Sequence, residues 1–117
     1  MTITHTPISR VTPDEVGARL DRGEPILFVD SRSEEEWTGS ELKLPGAVRV
    51  EQDHVLDHLF EIPPGHGIVT YCTCPQEKAS VGVAQQLMHW GFRDVRALHG
   101  GFDAWKRAGC TLEHKAA

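Results

Sequence analysis

An α/β fold built on a parallel or mostly parallel sheet is predicted by three observations. Short apolar runs alternate with segments of helical periodicity along the chain, the pattern of strands joined by crossover helices lying on both faces of a sheet. The run Pro25-Ile26-Leu27-Phe28-Val29 is almost continuously apolar, which suits a strand buried on both faces. The 117 residues are enough for one compact core and too few for two of ordinary size. With no repeat, low-complexity tract or linker, a single domain over 1–117 is expected, loose only at its two ends.

Each element has a local reason. Thr12-Pro13-Asp14-Glu15 is a helix start: Thr12 caps, Pro13 fits the first helical position and Glu15 reaches back in a capping box. Val16 and Leu20 then fall on one face, and Gly23 ends the helix. The strand at 25–29 runs into the polar Asp30-Ser31-Arg32. Ser33 caps a second helix whose first turn carries Glu34, Glu35 and Glu36 before Trp37. Leu44-Pro45-Gly46 turns the chain into a short strand at 47–50, and Val55, Leu56 and Leu59 have helical spacing within 51–60. Pro63-Pro64-Gly65 breaks that pattern. Gly67 to Tyr71 is the next strand, and it leads directly into Cys72. A helix from about Lys78 to Trp90 has the stripe Val81, Ala84, Leu87, Met88 and stops at Gly91. Asp94 to Leu98 is the last strand, and Phe102 to Ala108 a closing helix ended by Gly109. Trp105 and Phe102 read as core anchors, and Trp37 and Trp90 as packing residues.

Bulk composition excludes several classes. Twelve Lys and Arg against seventeen Asp and Glu give a net charge of −5 with no basic run, so nucleic acid is not an expected partner. The start MTITHTPISR has no apolar h-region and the longest apolar run is four residues, 26–29. No membrane association is expected, and the predicted location is cytoplasmic. Three cysteines, two of them one residue apart, make a poor disulfide framework; in a reducing compartment such thiols are catalytic, redox-active or metal-binding. Cys72 and Cys74 with His66 or His99 lack the spacings of a structural zinc site, so no metal is expected. His54, His58, His89 and His114 read as solvated surface residues, and Cys110 as an incidental thiol.

In parallel α/β sheets, sites form beyond the carboxyl ends of the strands. Asp30-Ser31-Arg32 and the segment from Cys72 to Ser80 both lie there. A cysteine at a strand end, before a loop that opens a helix, stands where backbone N–H groups lower a thiol pKa and hold an anion. The same amides stabilise a persulfide or an anionic donor.

The ordered set Asp30-x-Arg32, Leu44-Pro45-Gly46-Ala47, Tyr71-Cys72 and His99-Gly100-Gly101-Phe102-x-Ala104-Trp105-x-x-Ala108-Gly109 resembles the rhodanese-like domain, over a core of about residues 8–112. The resemblance implies a Rossmann-like fold with a central parallel five-stranded sheet. It also implies sulfur transfer through a loop cysteine that cycles between thiol and persulfide. The donor would be thiosulfate or another persulfide, the acceptor a thiol or a protein, and no cofactor would be needed.

Anchored on the strand, Tyr71-Cys72 makes Cys72 the nucleophile; counted back from Ser80 and Gly91-Phe92, Cys74 takes that place. The strand anchor is preferred, because the sheet is the more rigid reference and loops absorb insertions. The anion cradle is then Thr73, Cys74, Pro75, Gln76, Glu77, Lys78, Ala79 and Ser80. It lacks the arginine often found in this loop, keeps Lys78 as its only cation, and carries Glu77, which weakens anion binding unless its side chain points away. Cys74 is either a second thiol that resolves a persulfide or closes a disulfide, or a plain loop residue before Pro75; the plain reading is preferred. For Asp30 and Arg32 the supporting roles are an ion pair that orders the strand end and, for Arg32, steadying the loop or facing the anion. Two other functions compete. A phosphatase or arsenate-reductase relative would have C-x5-R, but the sixth residue after Cys72 is Lys78, which cannot grip a phosphoryl group bidentately. A non-catalytic module that binds or regulates a partner would not need the thiol.

Overall fold

The computed structural model describes residues 7–73 and 77–115. In chain order the elements are β1 (Arg10–Val11), α1 (Pro13–Asp21), β2 (Ile26–Asp30), α2 (Glu34–Thr38), β3 (Leu42–Lys43), β4 (Val48–Arg49), a 3₁₀ helix (Gln52–Glu61), β5 (Gly67–Tyr71), α3 (Lys78–His89), β6 (Val95–Leu98), α4 (Gly101–Arg107) and β7 (Glu113–His114). Five strands form one parallel sheet in the order β1-β6-β5-β2-β4, with β5 in the middle. This is the predicted α/β architecture.

Alternate strand residues feed two cores. Phe28, Val69, Leu98 and Val11 pack with Val16 of α1 and with Phe102 and Trp105 of α4. Val29, Ile68 and Val95 pack on the other face with Val83, Ala84 and Leu87 of α3 and with Val55. The period of two along β2 and β5 therefore divides the helices between the faces. Phe28 meets Trp105 edge to face, with ring centroids 5.2 Å apart. Both predicted N-caps form: the Thr12 hydroxyl accepts from the Glu15 N–H, and Ser33 from the Glu36 N–H, each glutamate reaching back to its cap residue's N–H.

Several details differ from the sequence expectation. The segment 52–61 is 3₁₀ with a kink at His54, so Val55 is buried while Leu56 is 57% exposed; the α-helical spacing of Val55, Leu56 and Leu59 does not describe it. In α3 the residue that enters the core beside Ala84 and Leu87 is Val83, and Val81 is only half-buried. Leu20 and Trp90 stay substantially exposed. Two short pairings were not foreseen: β1 on the edge of the sheet, and an antiparallel pair between β3 and β7. Two-residue strands leave no periodicity to detect.

The parallel register sets Asp30 beside Tyr71 and Arg49. The carboxyl ends of β2, β4 and β5 therefore share one edge, from which the residues Ser31, Val50 and Cys72 continue. Among the described residues no helix is long and apolar enough to cross a membrane.

Adjacent positions in the 3₁₀ helix should respond differently to truncation. Val55→Ala should lower unfolding free energy by about 2 kcal/mol, and Leu56→Ala by less than about 0.5 kcal/mol, measured by urea denaturation.

Candidate active site

A buried polar network lies at the ends of the two central strands. Arg32 is 1% exposed and Asp30 0%. The Arg32 Nε donates to both Asp30 oxygens at 3.0 and 3.1 Å, and Nη2 to Oδ2 at 2.7 Å and to the Leu42 carbonyl at 2.8 Å. The Tyr71 hydroxyl donates to Asp30 Oδ2 at 2.7 Å and accepts from the Leu44 N–H at 3.2 Å. Burial, and then the neighbouring Asp30 carboxylate, push the Tyr71 hydroxyl far above the usual phenol range, so it stays a donor. The guanidinium carbon also lies 4.7 Å from the Phe102 ring centroid. A buried ion pair is tolerated when its remaining donors and acceptors are satisfied, as here. Arg32 therefore pairs with Asp30 at the strand end, and its side chain also lines the cleft beside Ser31.

Cys72 follows β5 directly and is 1% exposed. Its carbonyl accepts the Phe102 N–H at 3.0 Å. Gly101 has φ +61°, and a Cβ there would stand 2.1 Å from the same carbonyl oxygen, so only glycine allows this approach. The His-Gly-Gly-Phe segment thus brings the start of α4 against the backbone of Cys72. On the other side, the Thr73 hydroxyl donates to Glu36 Oε2 in a very short contact. That bond is the main cause of Glu36 titrating below the usual carboxylate range; burial opposes it, while the Ser33 contacts and then Arg32 assist it. Thr70 Oγ1 donates to the Ser80 carbonyl at 2.8 Å, and the Ser80 hydroxyl to the Glu77 carbonyl at 3.1 Å. These bonds tie the start of α3 to β5.

The predicted cradle is only partly assembled. Cys74, Pro75 and Gln76 lie outside the described residues. Thr73 turns toward Glu36, and Ser80 is buried in bonds that hold the helix start. Glu77 caps α3 in the left-handed region, φ 59°. Its carboxylate accepts from Arg10 Nε at 3.1 Å and lies 3.4 Å from the Gly100 N. The acid feared as an obstacle in the cradle is thus paired with a cation of β1. Lys78 and Ala79 line a cleft of about 300 Å³ with Ser31, Glu36, Glu51 and Asp53. Cys110 sits far along the chain beside the α1 and α4 core, its thiol pushed up by burial and then by Asp14.

Four contributors were missed: the Tyr71 hydroxyl, Glu36, Arg10 and Gly101. Glu36 was legible as a helix-start acid but not as the partner of Thr73, and Arg10 belongs to a strand too short to foresee. Tyr71 and Gly101 stood in the motifs without a stated contact.

A thiol at the carboxyl end of the middle strand of a parallel sheet, leading toward a helix start, defines an α/β domain with a strand-end cysteine loop. The chain belongs to the rhodanese-like domain family, whose model it matches over residues 12–108. It is 28% identical over 105 residues to a sulfurtransferase of Allochromatium vinosum, covering 90% of this chain and 94% of that one. It is also 28% identical over 114 residues to the HTH-type transcriptional regulator Rv0324 of Mycobacterium tuberculosis, covering 95% of this chain. The chain spans about half the length of that regulator, 47%. A rhodanese-like domain protein of Staphylococcus aureus superposes with a TM-score of 0.72 at 26% identity, covering 93% of this chain and all of that one.

Substitutions at the two clamps should be costly. Tyr71→Phe removes a donor to Asp30 and leaves the Leu44 N–H without its acceptor, so a loss of about 1–3 kcal/mol is expected in chemical denaturation. Gly101→Ala should lose at least about 2 kcal/mol, from the left-handed backbone and the displaced Cys72 carbonyl, read as a lower denaturation midpoint.

Proposed function

We propose that this chain is a sulfurtransferase that carries sulfane sulfur as a persulfide on Cys72. Sulfur comes from a small anionic donor, thiosulfate or another persulfide, and leaves to a thiol or a protein acceptor. The carrying observation is the position of Cys72: at the carboxyl end of β5, before the start of α3, in a chain of the rhodanese-like family. With thiosulfate, the Cys72 thiolate attacks the outer sulfur, a new S–S bond forms, and sulfite departs with the electron pair of the broken bond. The persulfide anion that remains is favoured by the positive end of α3, twelve residues long. Pairing of Glu77 with Arg10 lowers the repulsion that an anionic donor meets. At 1% exposure, Cys72 meets a donor only when covering residues move aside.

The sulfurtransferase named among the relatives supports this reading. Lys78, sixth after Cys72, does not support phosphoryl chemistry, because a lysine is a point charge without the planar arginine fork. A second reading, a non-catalytic module that binds or regulates a partner, draws on the burial of Cys72 and on the regulator named above.

Intact mass spectrometry after incubation with thiosulfate or a low-molecular-weight persulfide separates these readings. A one-sulfur adduct is expected on wild type and Cys74→Ala and not on Cys72→Ala. An adduct that survives Cys72→Ala and disappears in Cys74→Ala moves the carrier to Cys74. No adduct on wild type favours the binding module. A generic phosphatase substrate should remain unchanged.

A further inference from the structure

The cleft beside the thiol loop is walled by the ends of two strands and two helix starts: Ser31 after β2, Glu36 in α2, Glu51 and Asp53 after β4, and Lys78 at the start of α3. It adjoins the residue after Cys72, since Glu36 accepts from the hydroxyl of Thr73. Ser31 is 2% exposed, lines this cleft, and its Oγ has no hydrogen-bond partner among the described residues. Buried hydroxyls are normally paired, so a polar ligand atom at this point completes the site.

The charges say which polar atom. Glu36, Glu51 and Asp53 supply three carboxylates to the cleft, against Lys78. Arg32 also lines the cleft, where Asp30 neutralises it at 2.7 Å, and Arg49 pairs with Glu51 at 3.1 Å. Three acids against Lys78 and Arg49 leave a negative excess, and the walls are rich in acceptors. An ammonium group carries three donors and no acceptor, which matches carboxylates joined by a serine hydroxyl.

We propose that this cleft is the acceptor subsite of the loop thiol and that it takes small thiols bearing an ammonium group. The chemistry rests on the sulfurtransferase reading; the binding rests on the cleft alone. In the transfer step the acceptor thiolate attacks the outer sulfur of the cysteine persulfide. A new S–S bond forms on the acceptor, the old one breaks, and the enzyme thiolate leaves with its electron pair. The acceptor thiol's own proton passes to the outer sulfur of the persulfide anion as the acceptor sulfur attacks it, and no oxidant or reductant is consumed.

Two measurements test it. On protein preloaded with a low-molecular-weight persulfide and desalted, sulfur release is followed with 2-aminoethanethiol, 2-mercaptoethanol and 3-mercaptopropionate, with rates corrected for thiolate fraction. The amine should lead the neutral thiol and the carboxylate should trail it, by steps on the order of three- to tenfold, the effect of one partly screened charge. Asp53→Asn should shrink the preference for the amine. In parallel, amide spectra of the unloaded protein are titrated with 2-(methylthio)ethylamine and 3-(methylthio)propionate, which accept no sulfur. The amine alone should move the Ser31, Ser33 and Asp53 signals. Equal rates for the three thiols, or shifts with the carboxylate or with neither compound, overturn the proposal. If no sulfur loads while the amine still moves these amides, the sulfur-transfer reading falls and the cation subsite stands.

Discussion

Asp30, Arg32 and Tyr71 meet because β2 and β5 run parallel and in step, so that Asp30 and Tyr71 end side by side. Their network is closed: the guanidinium satisfies both carboxylate oxygens, the phenol bridges to the Leu44 backbone, and the spare Arg32 donor holds the Leu42 carbonyl. Removing one member leaves another buried and unpaired, the expensive case for interior charge. Through Leu42 and Leu44 the same network positions the segment that pairs with β7. The floor beneath the thiol loop and the docking of the C-terminal strand therefore depend on one ion pair.

Above this floor, the residues around Cys72 divide between holding and reacting. Thr70, Ser80 and Glu77 fix the entry to α3, and Phe102 and Gly101 hold the Cys72 carbonyl. Ser31, Glu36, Asp53 and Lys78 line the cleft instead. Residues of the predicted cradle thus prove to be a mixture, with Ser80 structural and Lys78 facing the cleft.

Much of this was legible in the chain itself. The capping box at Thr12, the N-cap at Ser33, the apolar runs of β2 and β5 and the glycine stops arise from local chemistry, and the structure has them where the sequence places them. The hidden part is non-local. Arg10 and Glu77 are 67 positions apart, and nothing near either residue names the other. Val83 takes the core place expected of Val81 because the direction of a helix face is decided by the elements that pack on it: Val81 stands three residues from Ala84 and Val83 four from Leu87, so helical spacing alone admits either. Leu56 departs from its expected place because a 3₁₀ helix turns further per residue than an α-helix does, so α-helical spacing no longer marks one face.

The contact of Gly101 with the Cys72 carbonyl has an evolutionary side. Because the start of α4 grips the peptide backbone of the strand end, the position of Cys72 is held from the α4 side as well as by β5. A substitution at Gly101 is therefore felt at the end of β5, and not in α4 alone. Cys72 and Gly101, distant along the chain, are thus tied into one unit, on which selection acts jointly.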